Sequence, residues 1–141
     1  MGAPKTPPRF FIPEPRRRDF LLVGVGASAA TEFGRYIYRP GAYARGLSDF
    51  GLADSVGNLG GIIVQIFMSV AVFNATRQQS FRIAAFVSLG FVAYEFMQPY
   101  LPKGVFDWGD VAATALGYAI SCVVLWVIWR LWDMRKGRSD P

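Results

Sequence analysis

The chain has 141 residues, of which 52% are hydrophobic and only 18% are charged, and its net charge is +5. A soluble domain usually carries about 25% charged residues, so the composition argues against a water-soluble globule, and the length leaves room for one domain. There is no histidine, which excludes His-based nucleophilic catalysis and removes the commonest metal ligand. The single cysteine, Cys122, cannot form an internal disulfide. We therefore expect a small membrane protein that needs no cofactor and no metal.

Residues 1–19 are predicted to form a basic, Pro-rich cytoplasmic arm, because Pro4, Pro7, Pro8, Pro13 and Pro15 rule out a helix throughout. The arm has two open interpretations: it binds lipid headgroups through its basic residues, or it docks on a partner subunit through its apolar ones. Its candidate contact residues are Phe10, Phe11, Ile12, Arg16, Arg17 and Arg18.

The same basic run precedes an apolar segment and the small residues Ala27-Ser28-Ala29, a pattern that is also typical of a twin-arginine export signal. Glu32 and Arg35 continue the helical segment beyond that point. This continuation favours an uncleaved first helix over a cleaved signal.

Four apolar blocks are long enough to cross a membrane, for which about 20 residues are needed. They lie roughly at 20–38, 56–73, 81–97 and 111–132. The first is the weakest, because Thr31, Glu32 and Arg35 crowd its second half. The sequence predicts an all-α fold, an integral membrane four-helix bundle.

Most Lys and Arg residues flank the start of the first block, the connection between the second and third, and the basic tail at 133–141. Because positive charge stays in the cytoplasm, both termini are predicted to be cytoplasmic. Small residues recur every fourth position along three blocks, which favours close helix packing. They are Gly26, Ala30 and Gly34, then Gly57 and Gly61, then Ala113, Gly117 and Ser121.

Polar residues gather at the predicted outer ends of the blocks. Asp54 and Asp110 each open a block and each fit the pattern D-x3-[N/T]-x2-G. Helix capping alone would explain either aspartate. Glu95 and Gln98 share a helix face, and a carboxylate in a span is costly unless it faces protein or water.

The predicted topology brings these side chains to one membrane side, where we expect an outward-facing polar pocket. Its members are Asp54, Asn58, Glu95, Gln98, Asp107, Asp110 and Thr114. Arg35 and Lys103 are the candidate counter-charges.

Residues 95–117 follow the pattern E-x2-Q, then Pro and a basic residue, then D-x2-D-x3-T-x2-G. This segment resembles the signature of the VanZ-like family of small bacterial membrane proteins, and residues 54–61 extend the resemblance more weakly. The family commonly has His where Asn58 stands and Asn where Thr114 stands, so proton-dependent chemistry is not expected here. The resemblance implies a multi-pass protein of the bacterial inner (cytoplasmic) membrane.

The first functional hypothesis is non-catalytic binding of lipid or cell-envelope components at the polar pocket. The alternative is an accessory subunit of a larger membrane complex of photosynthetic or respiratory type. An enzyme that uses Asp107 and Asp110 is a third, less favoured reading, because two hard ligands without His make a weak metal site. The expected partners are membrane lipid and other integral membrane subunits. Nucleic acid is not expected, because the basic residues flank the spans.

Overall fold

The computed structural model describes residues 15–49, 51–102 and 104–136. Within these ranges the protein is helical and contains no strand, which confirms the all-α prediction. The elements are α1 (Pro15–Phe33), a π-helical turn (Gly34–Tyr38), α2 (Arg39–Ala44), α3 (Leu52–Val72), α4 (Arg77–Met97), a 3-10 turn (Gln98–Tyr100) and α5 (Trp108–Lys136).

Three segments of the described chain are long and apolar enough to cross a membrane: Leu52–Val72, Arg77–Tyr100 and Trp108–Lys136. They match the second, third and fourth predicted blocks. Helix α1 is not among them, since charged residues occupy its first turn and its last. A membrane protein with several spans is therefore supported, and the span predicted at 20–38 stays a prediction.

The helices extend beyond the predicted blocks. Helix α1 begins at Pro15, inside the predicted arm, because a proline lacks only an N–H that the first helical turn does not use. Beyond Phe33 the chain stays helical through the π turn and α2 as far as Ala44. Helix α5 continues to Lys136, inside the predicted tail.

Helix α3 is the central helix, because α1, α4 and α5 all pack on it. Its residues Ile62, Ile66, Phe67 and Val70 are completely buried and belong to the hydrophobic core, together with Phe20 of α1 and Leu125 of α5. The burial of these apolar side chains stabilises the packing of α1, α4 and α5 on α3. The long helices alternate in direction, so that each end of the molecule collects two helix starts and two helix ends.

Glycines allow the closest helix contacts. A Cβ atom on Gly34 would lie 2.6 Å from Val56 Cγ2, one on Gly60 would collide with Thr31 Oγ1, and one on Gly117 would lie 2.8 Å from the carbonyl oxygen of Leu59. Such close approach between backbones is typical of helix pairs in membranes.

Two of the predicted packing glycines make no close helix contact. Gly26 and Gly57 face open space in the described structure, so they do not contribute to helix contacts. On α3 the close contact with α1 therefore lies at Gly60 and not at the predicted Gly57.

The start of α1 and the end of α5 meet at one end of the molecule. Trp132 Nε1 donates to Asp19 Oδ2 at 2.9 Å, and the rings of Phe20 and Trp129 lie 5.9 Å apart. Arg77 at the start of α4 pairs with Asp133 at 3.3 Å. The two ends of the described helical core therefore share one end of the molecule, and the predicted polar residues lie at the other.

Candidate functional site

Glu95, near the end of α4, is the centre of the candidate site. Only 1% of its surface is exposed. Asn58 Nδ2 of α3 donates to Oε1 at 3.3 Å, and Gln98 Nε2 donates to Oε2 at 2.7 Å. Both carboxylate oxygens therefore accept hydrogen bonds from neutral amides.

The end of α4 explains why Gln98 reaches Glu95. The α-helix stops at Met97 and tightens into the 3-10 turn that contains Pro99, a residue that cannot donate a backbone hydrogen bond. Gln98 stays one turn from Glu95 and on the same face. These two side chains, which were predicted to share a helix face, form a hydrogen bond in the structure.

Asp110, in the first turn of α5, lies next to the same amide. The side chains of Asn58 and Ser55 approach its carboxylate, and Asp110 is close enough to Glu95 for their negative charges to interact. Ser55 is buried and was not among the predicted site residues. The sequence signal that could have identified Ser55 is its position three residues before Asn58, which places both residues on the same face of α3.

Thr114 lies one turn after Asp110 on α5, and its hydroxyl has no hydrogen-bond partner among the described residues although the side chain is 1% exposed. Helical hydroxyls commonly donate to the carbonyl four residues earlier. Thr31, Ser80, Ser88 and Ser121 all do so here, at 2.7 to 2.9 Å. Thr114 does not, and its oxygen is left available on the face that Asp110 shares.

Asp54 and Asp107 form their hydrogen bonds outside the predicted pocket, although the charge of Asp107 reaches Glu95 and the charges of both reach Asp110. Asp54 is exposed and accepts hydrogen bonds from Arg39 Nη2 at 3.1 Å and from the Tyr43 hydroxyl. Asp107 Oδ1 accepts from the Gly109 amide at 2.7 Å and so caps α5. Helix α2, which carries Arg39 and Tyr43, was not predicted, and it draws Asp54 away from the pocket.

Asp49 fixes the start of α3, which carries Ser55 and Asn58. Its carboxylate accepts from the Tyr38 hydroxyl at 3.0 Å and from the amide of Ala53 at 2.9 Å. Burial alone would raise the pKa of Asp49, but these hydrogen bonds outweigh burial and the pKa lies below its usual value. The sequence analysis did not identify this residue.

The predicted counter-charges do not contact the site in the described structure. Arg35 pairs with Glu32 at 3.6 Å, and both side chains are about half exposed. Lys103 lies outside the described residues. Within the described ranges no Lys or Arg forms an ion pair with Glu95 or Asp110, and no group of three or more His, Cys, Asp or Glu side chains is placed to hold a metal ion.

The predicted arm residues can be placed only in part. Arg16, Arg17 and Arg18 lie in the first turn of α1, where Arg17 is half-buried and Arg18 is exposed. Phe10, Phe11 and Ile12 lie outside the described residues, as does the side chain of Arg16. The interpretation of the arm therefore stays a prediction.

An aromatic cluster of Phe96, Phe106 and Trp108 lies beside the site. Phe106 stacks on Phe96 with ring centroids 5.2 Å apart, and Trp108 meets Phe106 edge-on at 5.0 Å. These contacts hold the chain before α5 against the end of α4. They thereby bring Asp110 next to the helix that carries Glu95.

Comparison of the chain with protein-family models, curated proteins and solved structures found no match. The resemblance to the VanZ-like family therefore rests on the sequence pattern alone and stays a prediction.

Proposed function

We propose that this chain is a four-span membrane protein, VanZ-like and resident in the bacterial inner membrane, that binds lipid or cell-envelope components without catalysis. The binding site is the Glu95 cluster, which we define as Ser55, Asn58, Glu95, Gln98, Asp110 and Thr114. Both termini are cytoplasmic in this proposal, and the cluster faces outward.

The observation that carries the proposal is the burial of the Glu95 carboxylate with neutral hydrogen-bond donors and no cation partner among the described residues. An ionisable group inside a membrane protein is expensive to place there. Well-packed apolar residues would serve stability at least as well as a buried charge. We infer that the role of the Glu95 carboxylate is to bind a ligand and not to stabilise the fold.

The packing of α1 supports the proposal that this helix also crosses the membrane, in addition to α3, α4 and α5. Helix α1 and the π turn that continues it lie along α3 with glycine-mediated contacts at Gly24, Gly34 and Gly60. Its polar residue Thr31 is buried and donates to the backbone of its own helix, as polar groups in a lipid environment require. Glu32 and Arg35 pair with each other close to the end of the helix.

Lipid retention tests the binding proposal. The protein is purified in a mild detergent, and the co-purifying lipids are identified by mass spectrometry. The double variant Glu95→Gln/Asp110→Asn should lose its retained lipid or envelope component, because the charge of the cluster is gone. Asp133→Asn, which removes an exposed carboxylate at the opposite end of the molecule, is the matched control. An unchanged set of retained molecules in the double variant would contradict the proposal.

The accessory-subunit hypothesis is favoured by a different observation. Helix α4 is the least buried of the three candidate spans, and it exposes Phe86, Leu89 and Tyr94. A photo-crosslinking amino acid in place of Phe86 tests, in the native membrane, whether this surface of α4 contacts another protein. Crosslinks to one protein of defined size support an accessory subunit, whereas crosslinks to lipid alone contradict it.

A further inference from the structure

We propose that the group recognised by the Glu95 cluster is a primary ammonium ion, carried by a lipid headgroup or by a free amine. This inference rests on the proposed binding function and specifies its ligand chemistry. It follows from the charge of the cluster, from the spare oxygen of Thr114 and from the kinds of acceptor that the cluster offers.

The charge of the cluster requires a positive ligand. Glu95 accepts hydrogen bonds from the neutral side chains of Asn58 and Gln98. Asp110 lies near the neutral side chains of Asn58 and Ser55, and the other charges that reach the two carboxylates, those of Asp107 and Asp54, are negative. No described Lys or Arg forms an ion pair with either carboxylate. A cation is therefore the ligand that this site stabilises most, and an anion such as a phosphate would be repelled.

The hydroxyl of Thr114 indicates a ligand that donates hydrogen bonds. This side chain is almost completely buried, and its oxygen has no partner within the described residues. A buried hydroxyl without a partner is destabilising, and a bound donor removes that cost. The hydroxyl lies one turn from Asp110 and on the same face of α5, so that one ligand can reach both.

The number of acceptors matches an ammonium group. An –NH₃⁺ group has three donors and no acceptor. The cluster offers the Thr114 oxygen and the remaining lone pairs of the Glu95 and Asp110 carboxylates, each of which accepts more than one hydrogen bond. The half-buried side chains of Asn58, Gln98 and Asp110 give the cluster an edge at the protein surface, through which a headgroup amine can enter.

Other cations fit less well. Divalent cations prefer about six or more oxygen ligands and several carboxylates, and the described residues hold no group of three acidic side chains at one point. A quaternary ammonium ion has no N–H donors and is bound by aromatic faces. The aromatic side chains nearest the site, Phe96, Phe106 and Trp108, pack on one another instead.

The experiment compares phosphatidylethanolamine with phosphatidylcholine of identical acyl chains. Methylation of the amine keeps the charge and removes the N–H donors, so the pair isolates hydrogen bonding. The full chain is equilibrated with an equal mixture of the two lipids in detergent, and bound lipid is counted by native mass spectrometry. We expect a preference for phosphatidylethanolamine of about tenfold, the effect of hydrogen bonds to a charged group.

Three variants make the test specific. Thr114→Val keeps the shape of the side chain and should reduce the preference severalfold. Ser121→Ala removes another buried hydroxyl of α5, one that is already bonded to its own helix, and should leave the preference unchanged. Lys103→Gln should also leave it unchanged. A preference that appears only in Lys103→Gln would mean that the chain's own lysine fills the site, which overturns the proposal.

Competition with free ethanolamine distinguishes the two sources of the amine. Displacement of the lipid at millimolar ethanolamine assigns the site to free amines, and the lack of displacement assigns it to the lipid headgroup; either result supports an ammonium ligand. Equal binding of the two lipids by the unmodified chain, or an unchanged preference in Thr114→Val, overturns this inference.

The two proposals fail in different ways. If both lipids bind equally but Glu95→Gln/Asp110→Asn no longer retains them, the cluster binds lipid without recognising its amine, and only the present inference is wrong. If the double variant retains the same lipids as the unmodified chain, the binding function and its ligand are both wrong.

Discussion

Asp49 is a single side chain on which the start of α3 depends. Its two oxygens accept hydrogen bonds from the amides of Gly51 and Ala53 and from the Tyr38 hydroxyl. The first amides of a helix have no partner within the helix, and here the aspartate supplies two acceptors. The residue thereby connects the turn before α2 to the helix that carries Asn58.

The pKa of Asp49 predicts how this contact responds to acid. Because the pKa is lower in the folded state than its ordinary value of 3.8, the ionised side chain contributes stability above that value. This contribution is lost as the pH falls through the lower, folded-state pKa. We expect the Ala53 amide to exchange its hydrogen faster, relative to amides in the middle of α3, as the pH falls below 3.8.

Hydrogen exchange measured against pH checks this prediction, with Asp49→Asn as the comparison. The variant should show fast exchange at Ala53 throughout and no pH-dependent change in its protection relative to the middle of α3. Equal pH responses in the two proteins would show that Asp49 does not hold the start of the helix.

At the residue scale the sequence identifies part of the site. Glu95, Gln98 and Asn58 were predicted because spacing within a helix places them on defined faces. Ser55 joins them only because α5 lies against that face of α3, a contact that local sequence does not specify. Asp54 was assigned to the pocket but binds Arg39 of α2, because the helical path beyond Tyr38 is not visible in the hydropathy pattern.

At the scale of elements, α3 carries the packing of the molecule, and glycines set how closely its neighbours approach. Apolar length alone predicted α3, α4 and α5 as long helices. It did not predict which small residues are in contact, since Gly57 faces open space whereas Gly60 meets Thr31. The crossing points of helices depend on tertiary geometry that a four-residue repeat does not determine.

Gly117→Ala is expected to destabilise the protein by about 1–3 kcal/mol, the usual cost of overpacking a close contact. The new Cβ atom would lie 2.8 Å from the backbone oxygen of Leu59 and would also collide with Ile62. A backbone atom cannot move aside as a flexible side chain can, so α5 must shift away from α3. The measurement is the free energy of unfolding in detergent or lipid.

The matched control for this substitution is Gly90→Ala on α4. Nothing lies within 4 Å of the added Cβ there, and alanine is the better helix former by about 1 kcal/mol. The two substitutions should therefore have opposite signs. A stabilising effect at both positions would contradict the tight contact between α3 and α5.

At the scale of the whole molecule, the start of α1, the start of α4 and the end of α5 lie together, opposite the Glu95 cluster. The distribution of Lys and Arg in the sequence led to this expectation, because it puts both termini and the connection between the second and third blocks on one side. Helix α1 stays a predicted crossing, because charged residues at both of its ends leave it outside the group of helices that are apolar enough to span a membrane.

Labelling of single cysteines from one side of the membrane decides how α1 is placed. In a Cys122→Ser background, cysteines are introduced at the exposed positions Arg18, Ser48 and Met134 and treated with an impermeant maleimide in sealed vesicles. If α1 crosses the membrane, positions 18 and 134 label from one side and position 48 from the other. Labelling of positions 18 and 48 from the same side would mean that α1 does not cross.

The packing of α1 on α3 has a consequence for biosynthesis. The groups that cover Thr31 and Gly34 come from α3, which the ribosome completes only after α1 has emerged. On the proposed topology, α1, the least apolar of the four spans, must therefore stay at the translocation machinery until the ribosome has made α3. Insertions within residues 45–48, which lengthen the delay between the two helices and leave Asp49 in place, should alter the yield of inserted chain more than the stability of the finished protein.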